Sequence, residues 1–371
     1  MRSEPSSPAM DAFQALLDQL PAHNASDLHL AAGRAAHWRA HGELAVCDKR
    51  LWDDADMALL VENLLDPLRR EALKNSGSAD LGYSTLGGYR FRINFFRSLG
   101  RLALVARHLP ERFASLAELM LPAGLKELSY LPYGLVLVTG ITGSGKSTSL
   151  ATLIHEINAN MARHILTIED PVEFVHRPLK SLISHRELGT DTPDFALAVR
   201  AAMREDPDVI LVGELRDTET MRAALTAAET GHLVFSTLHT ADAVGAAERF
   251  VGAFPGEEQE LARHRLSLVM KAVVAQQLLP RADKKGRVPA VEILRGTAAV
   301  MNLIASGRSA QLYSVMESGA SLGMQTYDQA LAQLARDRLI DANLARPLTR
   351  NPEGFDWLLK NGGQLAPEGR K

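Results

Sequence analysis

The segment Gly140-Ile141-Thr142-Gly143-Ser144-Gly145-Lys146-Ser147 has the spacing G-x-x-x-x-G-K-[ST] and follows the apolar run Leu135-Val136-Leu137-Val138. Buried strand, glycine-rich turn and helix in that order define one βα unit of a parallel sheet, which constrains what the flanking chain can build. The glycines let the backbone curl so that successive N–H groups point inward at phosphate oxygens. The Lys146 ammonium is expected at the β/γ-phosphates and the Ser147 hydroxyl on Mg²⁺. Helical spacing from Thr148 to Ile157 would aim a positive helix end at the same point. Gly140, Thr142, Gly143, Ser144, Gly145, Lys146, Ser147 and Thr148 are therefore the candidate residues for ATP, with Mg²⁺ as its companion ion.

A chain of 371 residues exceeds one ordinary core and suggests two domains. Residues 10–114 alternate helix and strand signals: a helix to Leu20, a strand at Leu28-His29-Leu30, a helix near Ala55–Leu65, and period-two alternation over Tyr89–Phe95. Leu102–Arg107 would pair with that last run as a hairpin across Ser98-Leu99-Gly100. This predicts a small α+β domain. Residues 1–9 are expected to be a disordered extension, 115–122 a linker bracketed by Leu109-Pro110 and Leu121-Pro122, 123–350 an α/β domain, and 351–371 a C-terminal extension.

Net charge is −3 with both signs mixed along the chain, and no basic stripe points to nucleic acid as a partner. Cys47 is the single cysteine, which excludes a disulfide framework and a tetracysteine zinc site and leaves an inert, half-buried thiol as the expectation. No segment approaches the ~20 apolar residues needed to span a bilayer, and the first eight residues lack an apolar signal core. A cytoplasmic protein, at most docked on a membrane, is expected.

In an open parallel sheet, ligands sit beyond the carboxyl ends of strands. Polar and acidic residues follow three apolar runs: Glu169-Asp170-Pro171-Val172-Glu173 after His164–Ile168, Gly213-Glu214 after Val209–Val212, and Ser236 to His239 after Leu233–Phe235. One carboxylate there can serve the metal and another polarise the attacking water, while a histidine can sense the γ-phosphate.

These residues also carry a resemblance. Thr167–Phe174 resembles the aspartate box of the secretion and type IV pilus ATPases, Arg204–Asp217 their Walker B segment, and Thr226–Thr240 their histidine box. The similarity extends from Ala25-Ser26-Asp27-Leu28-His29-Leu30 to Leu322–Asp328 and is strongest to the type IV pilus retraction (twitching-motility) branch, with its PilT-like and PilU-like types. It implies an N-terminal PAS-like α+β domain, a RecA-like P-loop ATPase domain, and a homo-hexamer binding ATP. The resemblance assigns Glu173 to water activation, Glu214 to the metal with Ser147, His232 and His239 to the histidine box, and Arg90 and Arg92 to the phosphates. On residue pattern alone, the two arginines fit the exposed face of an alternating strand equally well. Implied partners are an inner-membrane pilus platform protein, at which the motor would sit peripherally, and a second retraction ATPase.

Export and extension relatives usually add an N-terminal domain and a tetracysteine module, and neither is expected here. The family's Ala-Ile-Arg-Asn-Leu-Ile box reads Ala299-Val300-Met301-Asn302-Leu303-Ile304, so a methionine replaces the arginine. A thioether cannot supply a guanidinium's bidentate hydrogen bonds. Val274–Pro280, Gly286–Glu292 and Phe355–Leu359 lean toward the PilU-like type, whereas the Walker B neighbourhood leans toward the PilT-like type. Three functions remain in view: a hexameric retraction motor, an accessory PilU-like subunit, and a RecA-type ATPase linked to nucleic acid. A GTPase is disfavoured because no guanine-reading Asn-Lys-x-Asp segment occurs.

Overall fold

The computed structural model describes residues 7–109 and 112–362. Its chain divides into two compact units, one formed by residues up to Arg112 with Asp170–Val175 and Glu187–Asp191, the other by Phe113–Glu169, His176–Arg186 and the residues from Thr192 on.

The first unit holds a six-stranded sheet in the order β3-β2-β1-β6-β5-β4, with β1 Ala25–Ala31, β2 Arg34–Ala40, β3 Glu43–Trp52, β4 Ser78–Ser84, β5 Arg90–Ser98 and β6 Arg101–His108. Every pairing is antiparallel, so two three-stranded meanders meet at β1 and β6. Alternation explains the core: Phe91, Ile93 and Phe95 of β5 are fully buried, while Arg90, Arg92 and Asn94 take the other face. Helices Pro8–Gln19 and Asp54–Leu64 supply Phe13, Leu17, Met57 and Leu60 to the same core. The extension expected over 1–9 is corrected at its end, because Ser7 caps a helix that starts at Pro8 and buries Ala9; residues 1–6 lie outside the described residues.

The second unit is built on a seven-stranded sheet, order β13-β12-β7-β11-β10-β8-β9, from β7 Gly134–Thr139, β8 His164–Glu169, β9 Leu182–Glu187, β10 Val209–Val212, β11 Leu233–Leu238, β12 Met270–Pro280 and β13 Arg287–Arg295. Strands β8, β10, β11, β7 and β12 run parallel; β13 returns antiparallel to β12. Continuous apolar runs suit strands covered on both faces, and every residue of β7, β10 and β11 is buried. A mostly parallel sheet of this kind agrees with the RecA-like α/β domain that the resemblance implied.

The segment expected as a linker, 115–122, forms turns that bury Leu121 against the second unit's core. Within the expected C-terminal extension, Asn351 caps helix Pro352–Asn361, whose Phe355 and Leu358 pack with Leu279, Val288 and Leu331. Its residues 363–371 lie outside the described residues.

Candidate functional site: a phosphate loop at the carboxyl edge of the sheet

Strand β7 delivers the chain at Thr139, whose hydroxyl bonds the Leu238 carbonyl (3.1 Å) and accepts the Thr240 N–H (2.9 Å). The ends of β7 and β11 are thereby tied together. The loop that follows turns on Gly140 (φ 147°), Gly143 (φ 78°) and Gly145 (φ 89°), a backbone that L side chains rarely adopt. Space demands glycine as well: a Cβ on Gly140 would strike the Gln276 carbonyl and stand 2.5 Å from Ser144 Oγ, and one on Gly145 would stand 2.7 Å from Gln276 Nε2.

Helix Lys146–Asn160 starts from Gly145 without a side-chain cap, so no side chain competes for its first-turn N–H groups. The helices beginning after Asp194, Asp217 and Asp242 each have an aspartate in that role. Lys146 is buried and curls its ammonium onto the carbonyls of Gly140 (2.8 Å) and Ile141 (3.1 Å). Thr142 and Ser147 are exposed and Thr148 is half-buried. Ser144 Oγ is buried with no partner. The curled N–H groups, the ammonium and this spare hydroxyl form a donor set suited to a polyphosphate.

At the ends of the neighbouring strands, Glu214 follows β10 and His239 follows β11. His239 Nε2 stands 3.4 Å from Glu214 Oε2, while Arg216 Nη2 holds the other carboxylate oxygen at 2.5 Å. Backbone bonds from Gly213 to Ile168 O and from Leu215 to Thr237 O fix this segment between β8 and β11. A carboxylate and the Ser147 hydroxyl are hard oxygen donors, which fits Mg²⁺.

His232 is placed differently from its expected role. It enters β11, and its carbonyl accepts the N–H of Gly134, the first residue of β7, at 3.0 Å. The phosphate loop begins at the other end of that six-residue strand, on the order of 20 Å away. Within its unit His232 is therefore excluded from the phosphate site, and its Nδ1 lies 2.9 Å from the Ala227 carbonyl.

The remaining predicted residues meet in the first unit. The buried Glu187 pairs with the half-buried Arg90; Glu187 also accepts N–H bonds from Gly82 and Val172, each 3.3 Å, and has Arg69 at 3.6 Å. Arg92 bonds Asp80 at 3.4 Å and has Glu173 at 3.9 Å, with both members of the latter pair partly exposed. Both arginines are thus engaged by carboxylates of their own unit. Sequence reasoning missed Glu187 and Arg69. A Cβ on Gly82 would collide with the Arg90–Glu187 pair, a constraint that only the folded strand reveals. Burial pushes the half-buried Cys47 thiol up to about 11, which leaves it unreactive at neutral pH.

A loop shaped for polyphosphate at the carboxyl edge of a RecA-like sheet makes this protein a P-loop ATPase. Residues 89–342 match the family model described as "Type II/IV secretion system protein". The chain is 43% identical over 331 residues to the type IV pilus retraction ATPase PilT of Pseudomonas aeruginosa, spanning 89% of this chain and 96% of that one. It is 37% identical over 322 residues to PilU of the same organism, spanning 87% and 84%. The crystal structure of the pilus retraction motor PilT with bound ADP superposes with a TM-score of 0.82 at 40% identity, covering 92% of this chain and 97% of that one. The chain belongs to the type II/IV secretion ATPase family, among relatives of the PilT and PilU kind. No helix among the described residues is long and apolar enough to cross a membrane.

Proposed function

We propose that this chain is a homo-hexameric motor that couples Mg²⁺-dependent ATP hydrolysis to type IV pilus retraction, acting from the cytoplasmic side on an inner-membrane pilus platform protein. The observation that carries it is the glycine cradle with Lys146 at the end of β7, in a chain 43% identical to PilT along nearly all of that protein's length. Lys146 exchanges its two loop carbonyls for phosphate oxygens and stabilises charge on the transferring phosphoryl group. Ser147 and Glu214 would hold Mg²⁺ when it binds, with Arg216 and His239 orienting the Glu214 carboxylate. Glu173 activates water. Arg90 and Arg92 complete this reading as phosphate ligands.

An accessory role beside a second retraction ATPase is favoured by one observation, Met301 in helix Ala298–Ala305 where the family box has arginine. The higher identity to PilT than to PilU supports the independent motor. Turnover of purified protein tests the ATPase core: Lys146→Ala should lower it by about 10²–10³, and an unchanged rate refutes the loop assignment. Expression in cells lacking every other retraction ATPase tests the motor. Pilus retraction seen by microscopy supports it, and its absence despite full ATPase activity assigns the accessory role.

A further inference from the structure

Gln276 lies on β12, one residue beyond the last pairing with β7, Ala275 with Thr139, and so runs alongside Gly140. It is 3% exposed, the buried one of the strand's three long polar side chains, since Lys271 and Gln277 are only half-buried. Its amide nitrogen donates to the carbonyl of Ser144 at 2.7 Å, and its amide oxygen accepts the Ser149 hydroxyl at 2.7 Å. The Ser144 carbonyl can only accept, so the nitrogen must face it; chemistry fixes the amide's orientation. The backbone carbonyl of Gln276 also closes off the space where a Gly140 side chain would go, and its amide does the same at Gly145. One residue therefore touches the loop's first glycine, the peptide before its last glycine and the helix's first turn.

A trans peptide points its carbonyl and its N–H in opposite directions. Holding the Ser144 carbonyl on Gln276 turns the N–H of Gly145 away from β12. We propose that Gln276 is the positioning residue of the phosphate loop: by anchoring the Ser144–Gly145 peptide from a neighbouring strand, it keeps the Gly145 N–H aimed at the nucleotide's phosphates. It touches no phosphate itself. Ser149 supports it by occupying the amide oxygen, which prevents the amide from flipping and presenting oxygen to oxygen. The inference rests on the phosphate-loop assignment and adds to it what sets the loop's shape before nucleotide arrives.

The test measures ADP binding by calorimetry, with Mg²⁺ present, for the full-length parent and three variants at a temperature where circular dichroism shows each to be folded. Gln276→Glu keeps the shape but sets an acceptor against the Ser144 carbonyl, so ADP should bind roughly 10–100-fold more weakly. KM for ATP should rise in step. Gln276→Met removes the anchor without adding charge and, should the glutamate variant fail to fold, carries the same expectation. Ser149→Ala leaves the Ser144 anchor in place and should weaken ADP by only about 2–3-fold. Parental ADP affinity in a folded Gln276 variant overturns the proposal, as does a loss in Ser149→Ala as large as that in Gln276→Met. A purely structural role would lower the melting temperature and leave the affinity of the folded protein unchanged. A parent that binds no ADP would refute the phosphate-loop assignment itself, and this inference with it.

Discussion

Glu292 on β13 is 2% exposed and points at the starts of two helices, accepting the Ala243 N–H at 2.7 Å and the Tyr327 N–H at 3.3 Å. Burial, reinforced by Asp242 and opposed by those two N–H bonds and Arg350, pushes its carboxyl from the ordinary 4.5 to about 7. A raised value means that the folded protein holds the proton more tightly than the unfolded chain. The associated stability is complete below about pH 4.5 and is lost as the pH climbs through 7. By pH 8 the ionised carboxylate costs the fold about 3 kcal/mol. Glu292→Gln is neutral at every pH but offers one acceptor oxygen to two N–H donors, losing roughly 1 kcal/mol. The variant should thus be no more stable than the parent at pH 5 and more stable by about 2 kcal/mol at pH 8. Urea unfolding of both proteins across that range isolates the effect, because other titrating groups cancel in the difference. A difference that stays constant with pH would show that burial does not hold Glu292 neutral.

His176 packs against Phe113, with ring centroids 4.2 Å apart, and burial beside His185 and His155 depresses it to about 3. Its contribution is present above pH 6.5 and lost as the pH falls toward 3, about 3 kcal/mol by pH 4.5; His176→Phe should flatten the acid limb of a melting-temperature profile, and an unchanged limb would count against it. Gly82→Ala sets a Cβ against the tips of the Arg90 and Glu187 side chains, which must shift to admit it, so about 1–3 kcal/mol should be lost to overpacking; a melting temperature within a degree of the parent would mean the pair relaxes freely. Glu173→Gln should still bind ATP with Mg²⁺ but turn it over poorly, whereas Glu214→Ala should weaken metal-dependent binding too; equal affinity losses on titration would reject separate roles for the two carboxylates.

What was legible in the sequence follows from how local each signal is. Strands β7, β10 and β11 are short apolar runs bounded by glycine or polar residues, and the loop's glycines act through their own backbone, so both could be read from neighbouring letters. The first unit was only partly legible. β2 and β3 went unread because β3 is an exposed edge strand whose burial does not alternate and whose register slips against β2. β4 does alternate, with Ala79 and Leu81 buried and Asp80 exposed, and was missed although the signal was there. The packing of Asp170–Val175 and Glu187–Asp191 with the first unit had no local signature at all. It depends on a carboxylate finding Arg90, 97 residues earlier in the chain.

The two histidines show how much more the chain direction alone could have told. Both flank the same apolar run, and the resemblance assigned them together. Yet His232 precedes β11 and His239 follows it, and in a parallel sheet only the following position lies at the edge where ligands gather. Strand polarity therefore separates them without any structure. Gln276 is the opposite case. Its contact with Ser144 spans 132 residues and depends on the register of β12 against β7, which includes a slip between Met270 and Ala272. A one-residue change of register would turn its side chain to the other face of the sheet and leave a buried amide without partners. Of the adjacent pair Gln276 and Gln277, only the folded sheet shows that the first is the buried one and that its partner is the phosphate loop.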